Sequence, residues 1–294
     1  MTEVKSCPIC GGTAFKTYIT TKDYSVSNET FTLQECITCG FVFTNPRPSE
    51  TDLDRYYQSD NYISHSDKPR TFFDRIYWLA REYALRNKFE LVNSYLPKTI
   101  LDYGCGTGAF LEYCKKQGLA VTGMEPSPTA RTIAARKIKP AAVHKSIDDL
   151  IDTYDVITLW HVLEHIPDLQ NTIIKLSRAL SKRGALIIAV PNITSWESTK
   201  YNAYWAAYDV PRHLWHFTPD TITRLFAKHN FVLKEVRPMK LDSFYVSLLS
   251  EKYRRQNKAG LFGMINALKN GMLSNLKARK TGAYSSLIYI FRHA

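Results

Sequence analysis

Apolar and polar positions follow two different periods along the chain. Near the start, FKTYIT and ETFTLQE alternate closely enough to predict short strands. Between Thr71 and Leu96 the apolar positions Phe72, Ile76, Leu79, Tyr83 and Ala84 recur at helical spacing, and Pro97 stops the run. That pattern predicts a helix with a broad aromatic face. From Thr99 onward strand and helix patterns alternate. TILDY, AVTGM, AAVHK, DVITLW and GALIIAV read as strands. TGAFLEYCKKQ (closed by Gly118), PTARTIAARKI and LQNTIIKLSRAL read as the helices between them. Thr218-Pro219-Asp220 marks a helix start with proline at the first position; TITRLFAKH continues it and Asn230 is placed to cap its end. FVLKEVRPM and SLIYIFRH are two late strands.

Seven strands alternating with helices predict an α/β fold, doubly wound, with a mostly parallel sheet. Three regions follow: a small module at 1–45, a linker and helical cap at 46–97, and the main domain at 98–294 with a helical insertion at about 242–284. Asn45-Pro46-Arg47-Pro48 is a stiff connector, and the polar, tyrosine-rich stretch from Glu50 to Ser66 follows it. A length of 294 residues with 45% hydrophobic content suits one large domain plus an accessory module. No repeat or low-complexity tract is visible. The opening MTEVKSCPICGG has no apolar stretch, so no signal peptide is expected. ALIIAV is far too short to span a bilayer, which makes a cytoplasmic protein the expectation.

The six cysteines change the picture of the first module. Cys7 and Cys10 lie in CPICGG, and Cys36 and Cys39 lie in CITCG. Each C-x-x-C-G is a tight knuckle that turns two thiolates toward one point. Two knuckles complete a tetrahedral shell for a structural Zn²⁺, and so predict a zinc ribbon. Disulfides do not suit a cytoplasmic chain, and neither pair has a thioredoxin-like setting. Cys105 and Cys114 read as small buried residues.

The net charge is +12. Between Leu241 and Ala294 nine Lys and Arg face two acids, an excess of seven, so the first 240 residues carry only the other five. The amphipathic, basic stretch 251–280 could be a lid, a dimer contact, a solvated helical insertion or a membrane-surface helix. Residues 1–45 hold three Lys, no Arg and four acids, a poor face for phosphates, which argues against a nucleic-acid partner.

LDYGCGTGAF at 101–110 is a glycine loop that lets a backbone approach a ligand closely. Gly104, Gly106 and Ala109 also fit a dinucleotide loop, and Glu125, 21 residues after Gly104, can bind ribose hydroxyls in either class. Asp102 decides between them. Its carboxylate can hold the ammonium of a methionine moiety but would repel a pyrophosphate. The glycines also alternate, where a dinucleotide loop places its third glycine-like residue one position later. WHVLEHIPD at 160–168 contains H-x-x-E-H, a zinc-peptidase pattern, but His161 falls at a strand end rather than inside a helix.

LDYGCGTG, the terminal acid Glu125 and DVITLWHVLEHIPD together resemble class I S-adenosylmethionine-dependent methyltransferases from about Thr99 to the C-terminus. With CPIC, CITCGFVFTNPRP and YDVPRHLWHFTP added, the chain is similar over nearly its whole length to a bacterial branch bearing an N-terminal four-cysteine ribbon. The resemblance implies the Rossmann-like methyltransferase fold. It also implies that Asp102, Gly104, Cys105, Gly106 and Glu125 hold the cofactor, with Asp148 or its neighbour Asp149 near the adenine amine; Asp148 could equally be a helix N-cap. His161 follows the fourth strand at the ligand-binding edge. There it could contact the cofactor, act as a base or simply pack.

An oxygen nucleophile needs a proton acceptor, and His161, His213 and His216 are the candidates. Arg212 could bind an anionic group, and Trp205, Tyr208 and Trp215 could stack on a sugar or ring; a merely packed loop is the competing reading. The expectation is methylation of a hydroxyl on a small metabolite, sugar nucleotide or glycan precursor. RNA methylation through the ribbon and C-methylation of a keto-sugar are the alternatives, and a non-catalytic zinc-stabilised binding module is opposed by the intact loop and Glu125. The patterns leave the oligomeric state open.

Overall fold

The computed structural model describes residues 1–57, 72–138, 143–256 and 260–294. The strands are β1 Phe15–Lys22, β2 Thr30–Cys36, β3 Val42–Thr44, β4 Thr99–Tyr103, β5 Ala120–Met124, β6 Val143–His144, β7 Tyr154–Trp160, β8 Leu180–Pro191, β9 Trp215–His216, β10 Phe231–Pro238 and β11 Ser286–His293. They form a seven-stranded sheet in the order β10-β11-β8-β7-β4-β5-β6 and a four-stranded sheet in the order β1-β2-β3-β9. The chain divides into two compact units: Met1–Asp60, His161–Gln170 and Ala189–Tyr289 form one, and Asn61–Trp160, Asn171–Ile188 and Ile290–Ala294 form the other.

In the second unit β4 pairs in parallel with β5 and with β7, and β5 with β6. Ile100, Leu101, Val156, Ile157 and Leu159 are wholly buried, as strands covered on both faces require. Strand order reverses between β4 and β7, the switch point at which doubly wound sheets bind ligands beyond the carboxyl ends of their strands. Helices Ala109–Lys116, Pro128–Ile138 and Leu169–Ala179 occupy the predicted crossovers. Strand β8 begins at Leu180, earlier than GALIIAV indicates, because Leu180 is buried and the polar SKR that follows continues as extended chain. The predicted helix before Pro97 runs over Phe72–Asn93, with Leu79 and Tyr83 exposed. The tyrosine-rich stretch lies outside the described residues from 58 to 71, as do 141–142 of AAVHK.

In the first unit β1 and β2 form the predicted antiparallel hairpin, with a bulge between Thr17 and Ile19. Strand β3 adds to β2, and β9, from far along the chain, pairs with β3 through Val42–His216 and Phe43–Trp215. The cysteine-bearing segment therefore shares its sheet with the segment YDVPRHLWHF. A buried cluster of Phe31, Leu33, Tyr56, Tyr201, Trp205 and Tyr208 packs beneath. Helices Asp242–Arg254 and Gly260–Thr281 lie against each other where Gly271 meets the backbone of Phe244; a Cβ at Gly271 would come within 2.9 Å of the Phe244 Cα. Among the described residues no helix is long and apolar enough to cross a membrane.

Candidate functional site

The glycine loop leaves β4 at its carboxyl end. Gly106 has a φ of 54°, a left-handed conformation that glycine adopts without steric cost, and a Cβ there would meet nothing within 4 Å. The backbone is thus open to a ligand at that point. Gly108, at φ 75°, is tight instead: its Cβ would lie 2.9 Å from the Ala134 Cβ. This close approach brings helix 109–116 against helix 128–138.

Glu125 ends β5 and is buried. Its carboxylate accepts from the Gly106 amide at 2.8 Å and the Ser127 amide at 2.9 Å. Both oxygens keep a lone pair for a ribose hydroxyl. Asp102 stands opposite Gly123 on one side and Thr158 on the other. The Thr158 hydroxyl donates to its Oδ1 at 2.6 Å. Burial pushes the Asp102 carboxyl up to about 7, with Glu125 adding to the rise and Thr158 and Lys88 opposing it. A cationic ligand group would reverse that cost by pairing with the carboxylate. Cys105 and Cys114 are buried, and burial raises both thiols, Cys114 to about 12. Gly123 leaves room for Cys105, whose Sγ would lie 2.7 Å from a Cβ at that position.

Asp148 lies in the short turn Ile147–Asp149. The N-cap there is Ser146, and Asp149 completes the capping box. Asp148 is exposed and 2.7 Å from Lys175 Nζ, whose charge holds its carboxyl below the ordinary range.

His161 follows β7 directly and takes a φ of 57°, strained for a residue with a side chain. Leu163–His165 is a single tight turn rather than an α-helix, so His161 and His165 do not share a helical face and the peptidase pattern has no structural basis. The His161 ring bridges Glu164 Oε1 at 3.3 Å and Asp242 Oδ2 at 2.9 Å. Burial opposes its ionisation, but Asp242 and then Glu164 outweigh that and lift it to about 10. The two carboxylates thus favour the protonated ring, which has no free lone pair for the base role expected of it.

His213 is buried, with Nδ1 2.8 Å from the Ala207 carbonyl and Nε2 4.0 Å from Glu164 Oε1. His216 is buried beside Thr44 Oγ1 at 3.3 Å, and burial followed by the field of His213 drives it far below the ordinary range. Both rings come from the segment that β9 ties into the ribbon sheet.

Arg212, Trp205 and Tyr208, expected to bind an anion or stack on a ring, are buried. Arg212 is 4% exposed and paired with Asp23 at 2.9 Å and Asp209 at 2.6 Å, and it donates to the Tyr56 carbonyl. A buried guanidinium needs internal counter-charges, and these two carboxylates supply them. Trp205 and Tyr208 are buried in the aromatic cluster, with rings edge to face at 4.9 Å. Trp215 is buried too, its ring under the Arg47 guanidinium and its indole N–H donating to the Ile166 carbonyl. A narrow cleft lies beside Arg212, lined also by Tyr24, Asp209 and Tyr253. Thr158, Asp242 and Asp23 carry no sequence signal for these contacts; their partners lie 56, 81 and 189 residues away.

The four ribbon sulfurs lie within 4.8 Å of one another, with Cys7 to Cys39 and Cys10 to Cys36 each at 3.5 Å. Sulfurs about 2.3 Å from a tetrahedral zinc are about 3.8 Å apart, so the donor set fits that ion. The Gly12 amide points at Cys10 Sγ at 3.4 Å, as the knuckle requires.

Comparison with known proteins agrees with this geometry. A family model described as a methyltransferase domain matches residues 77–236. The ubiquinone biosynthesis O-methyltransferase of Nitrobacter winogradskyi is 30% identical over 152 residues, covering 46% of this chain and 57% of that protein. The enzyme of the same name from Vibrio parahaemolyticus is 36% identical over 104 residues, covering 32% and 44%. The chain thus spans about half the length of these relatives. Among solved structures, residues 961–1257 of StiE O-MT align with a TM-score of 0.51 at 17% identity, covering 76% of this chain and 78% of that one, a likeness of fold. The chain belongs to the methyltransferase domain family, with the class I fold of the S-adenosylmethionine-dependent methyltransferases.

Proposed function

We propose that this protein transfers a methyl group from S-adenosylmethionine to a hydroxyl of a small-molecule acceptor. The observation that carries the reading is the open glycine loop flanked by Asp102 and Glu125 at the carboxyl ends of β4 and β5. When bound, S-adenosylmethionine supplies a methyl group already activated on a positive sulfur. The chain's own residues then bind and orient. Asp102 holds the ammonium, Gly104, Cys105 and Gly106 present backbone, Glu125 accepts from the ribose, and Asp148 lies toward the adenine. Hydroxyl methylation also accords with the O-methyl transfer in the relatives' names.

The acceptor hydroxyl must lose a proton. His213 suits that step, because its Nδ1 is engaged with the Ala207 carbonyl and its Nε2 is left as an acceptor. His213→Ala is expected to cut turnover at least about tenfold; unchanged turnover would remove that role. A structural Zn²⁺ on Cys7, Cys10, Cys36 and Cys39 completes the reading. We also propose that helix 260–281 rests on an anionic lipid surface. Leu261, Phe262, Ile265, Leu268, Met272 and Leu276 form an exposed stripe at helical spacing, and Lys269, Lys277, Arg279 and Lys280 lie on the same helix.

The deciding measurement is thermal stabilisation by S-adenosylmethionine, S-adenosylhomocysteine and NAD(H) in parallel. A ligand at a hundredfold its Kd adds about 2.7 kcal/mol. A shift with the adenosyl ligands alone is expected; a shift with NAD(H) alone would replace this reading with a dehydrogenase. Labelled methyl transfer to phenolic acceptors and to sugar nucleotides then separates the acceptor classes.

A further inference from the structure

We propose that Glu164, His165 and His213 form a second metal site, separate from the four cysteines, that takes a divalent first-row transition-metal cation. One donor atom from each residue lies within 4.8 Å of the others. Donors at about 2.0–2.2 Å from a single ion lie at most about 4.4 Å apart, so side-chain shifts of a few tenths of an ångström close the set.

The hydrogen bonds around the three residues set their chemistry. His213 Nδ1 is 2.8 Å from the Ala207 carbonyl, and His165 Nδ1 is 3.0 Å from the Arg212 carbonyl. A carbonyl oxygen only accepts, so each Nδ1 carries a proton, with the Tyr57 hydroxyl also 3.1 Å from that of His165, and the Nε2 atoms are the ones a cation would take. His213 Nε2 lies 4.0 Å from Glu164 Oε1. Two imidazoles and a carboxylate thus bring one donor atom each within 4.8 Å. A cation satisfies all three. Backbone carbonyls holding the far ring nitrogens are also the usual second layer around metal-bound histidines.

A second observation points the same way. Glu164 is 1% exposed, and its Oε2 is buried with no hydrogen-bond partner among the described residues. An orphaned carboxylate oxygen is costly unless something positive completes it. Glu164 Oε1 is oriented by His161 at 3.3 Å, and His161 by Asp242 at 2.9 Å. The strained backbone at His161 belongs to the same support. Two imidazoles and one carboxylate suit zinc, iron, cobalt or nickel and leave positions open for water or a ligand, whereas calcium and magnesium prefer all-oxygen shells.

The inference does not rest on the methyl-transfer reading. Ligand and base are alternative uses of the same His213 Nε2, so the test reads cation binding and not turnover. The full chain, first loaded with one equivalent of Zn²⁺ to fill the thiolate site, is titrated with Co²⁺ and followed by equilibrium dialysis and visible absorption. The expected result is one further Co²⁺ per chain, with ligand-field bands and no thiolate charge-transfer band. Glu164→Gln and His213→Gln should each weaken it at least about tenfold. No Co²⁺ beyond the ribbon, uptake carrying the thiolate band, or affinity unchanged in both variants overturns the proposal. Should the variants fold poorly, the wild-type chain decides. Co²⁺ must then shield His165 and His213 from diethylpyrocarbonate, read by peptide mass spectrometry, and labelling unaffected by Co²⁺ overturns the proposal.

Discussion

Asp102 shows how one buried carboxyl can link binding to pH. Its ordinary value is about 3.9, and burial holds it at about 7 in the folded protein. Between those values the folded state keeps a proton that the unfolded state has lost. Stability of the ligand-free protein therefore falls as pH rises through that window, and it levels off above about 7. A ligand ammonium needs the charged form. S-adenosylmethionine is thus expected to bind with release of nearly one proton at pH 6 and almost none at pH 8. Calorimetry in two buffers of different ionisation enthalpy measures this; equal proton release at both pH values, or release that survives Asp102→Asn, would dismiss Asp102 as the ammonium partner. The residues that a motif can name, Asp102 and Glu125, were legible in the sequence. The residue that holds Asp102, Thr158, was not, because adjacency of β4 and β7 has to be known first.

Among the elements, the contact between helices 109–116 and 128–138 turns on Gly108. A side chain there faces both a left-handed φ of 75° and the Ala134 Cβ at 2.9 Å. Gly108→Ala is expected to destabilise by about 2–4 kcal/mol, from backbone strain and overpacking together. Urea denaturation measures it, and a change below 0.5 kcal/mol, about the scale of a neutral surface substitution, would show that the helices separate freely. Helix 260–281 makes the opposite kind of contact. Its buried side carries Gly263, Ala267, Gly271 and Ser274, and its outer side carries the apolar stripe with Phe262 at 79% exposure. Cosedimentation with anionic vesicles is expected, weakened by raised salt and by Phe262→Ser with Leu261→Ser; equal binding to neutral vesicles would remove the electrostatic part of the proposal. The sequence announced the helix and its charge. Which side stayed uncovered depended on helix 242–254 packing against the small residues.

At the scale of the whole molecule, the ribbon is joined to the late chain through β3 and β9 and through the Asp23–Arg212 pair. Removing zinc should therefore cost more than the ribbon alone. A chromogenic chelator is expected to strip the Zn²⁺ held by the four cysteines and to lower Tm in a single cooperative step shared by the β9 segment. Release without change in Tm would make the four cysteines dispensable to the fold. The division into units does not follow the order 1–45, 46–97, 98–294 along the chain, since His161–Gln170 and Ala189–Tyr289 join the ribbon's unit. Linear order groups residues by connectivity, whereas compact units group them by burial.

The sequence by itself determined what local rules can carry: the alternation of strands and helices, the cysteine knuckles, the glycine loop with its two acids, and the N-cap at Thr218. Periodicity, turn chemistry and metal spacing all act within a few residues. Tertiary structure alone decided the states of the side chains far from one another along the chain. It paired Arg212 internally, where the sequence allowed an anion site. It set His161 between the Glu164 and Asp242 carboxylates, and it brought His213 to Glu164 and His165. Burial and charge in three dimensions set those states, and neither is written in the spacing of residues.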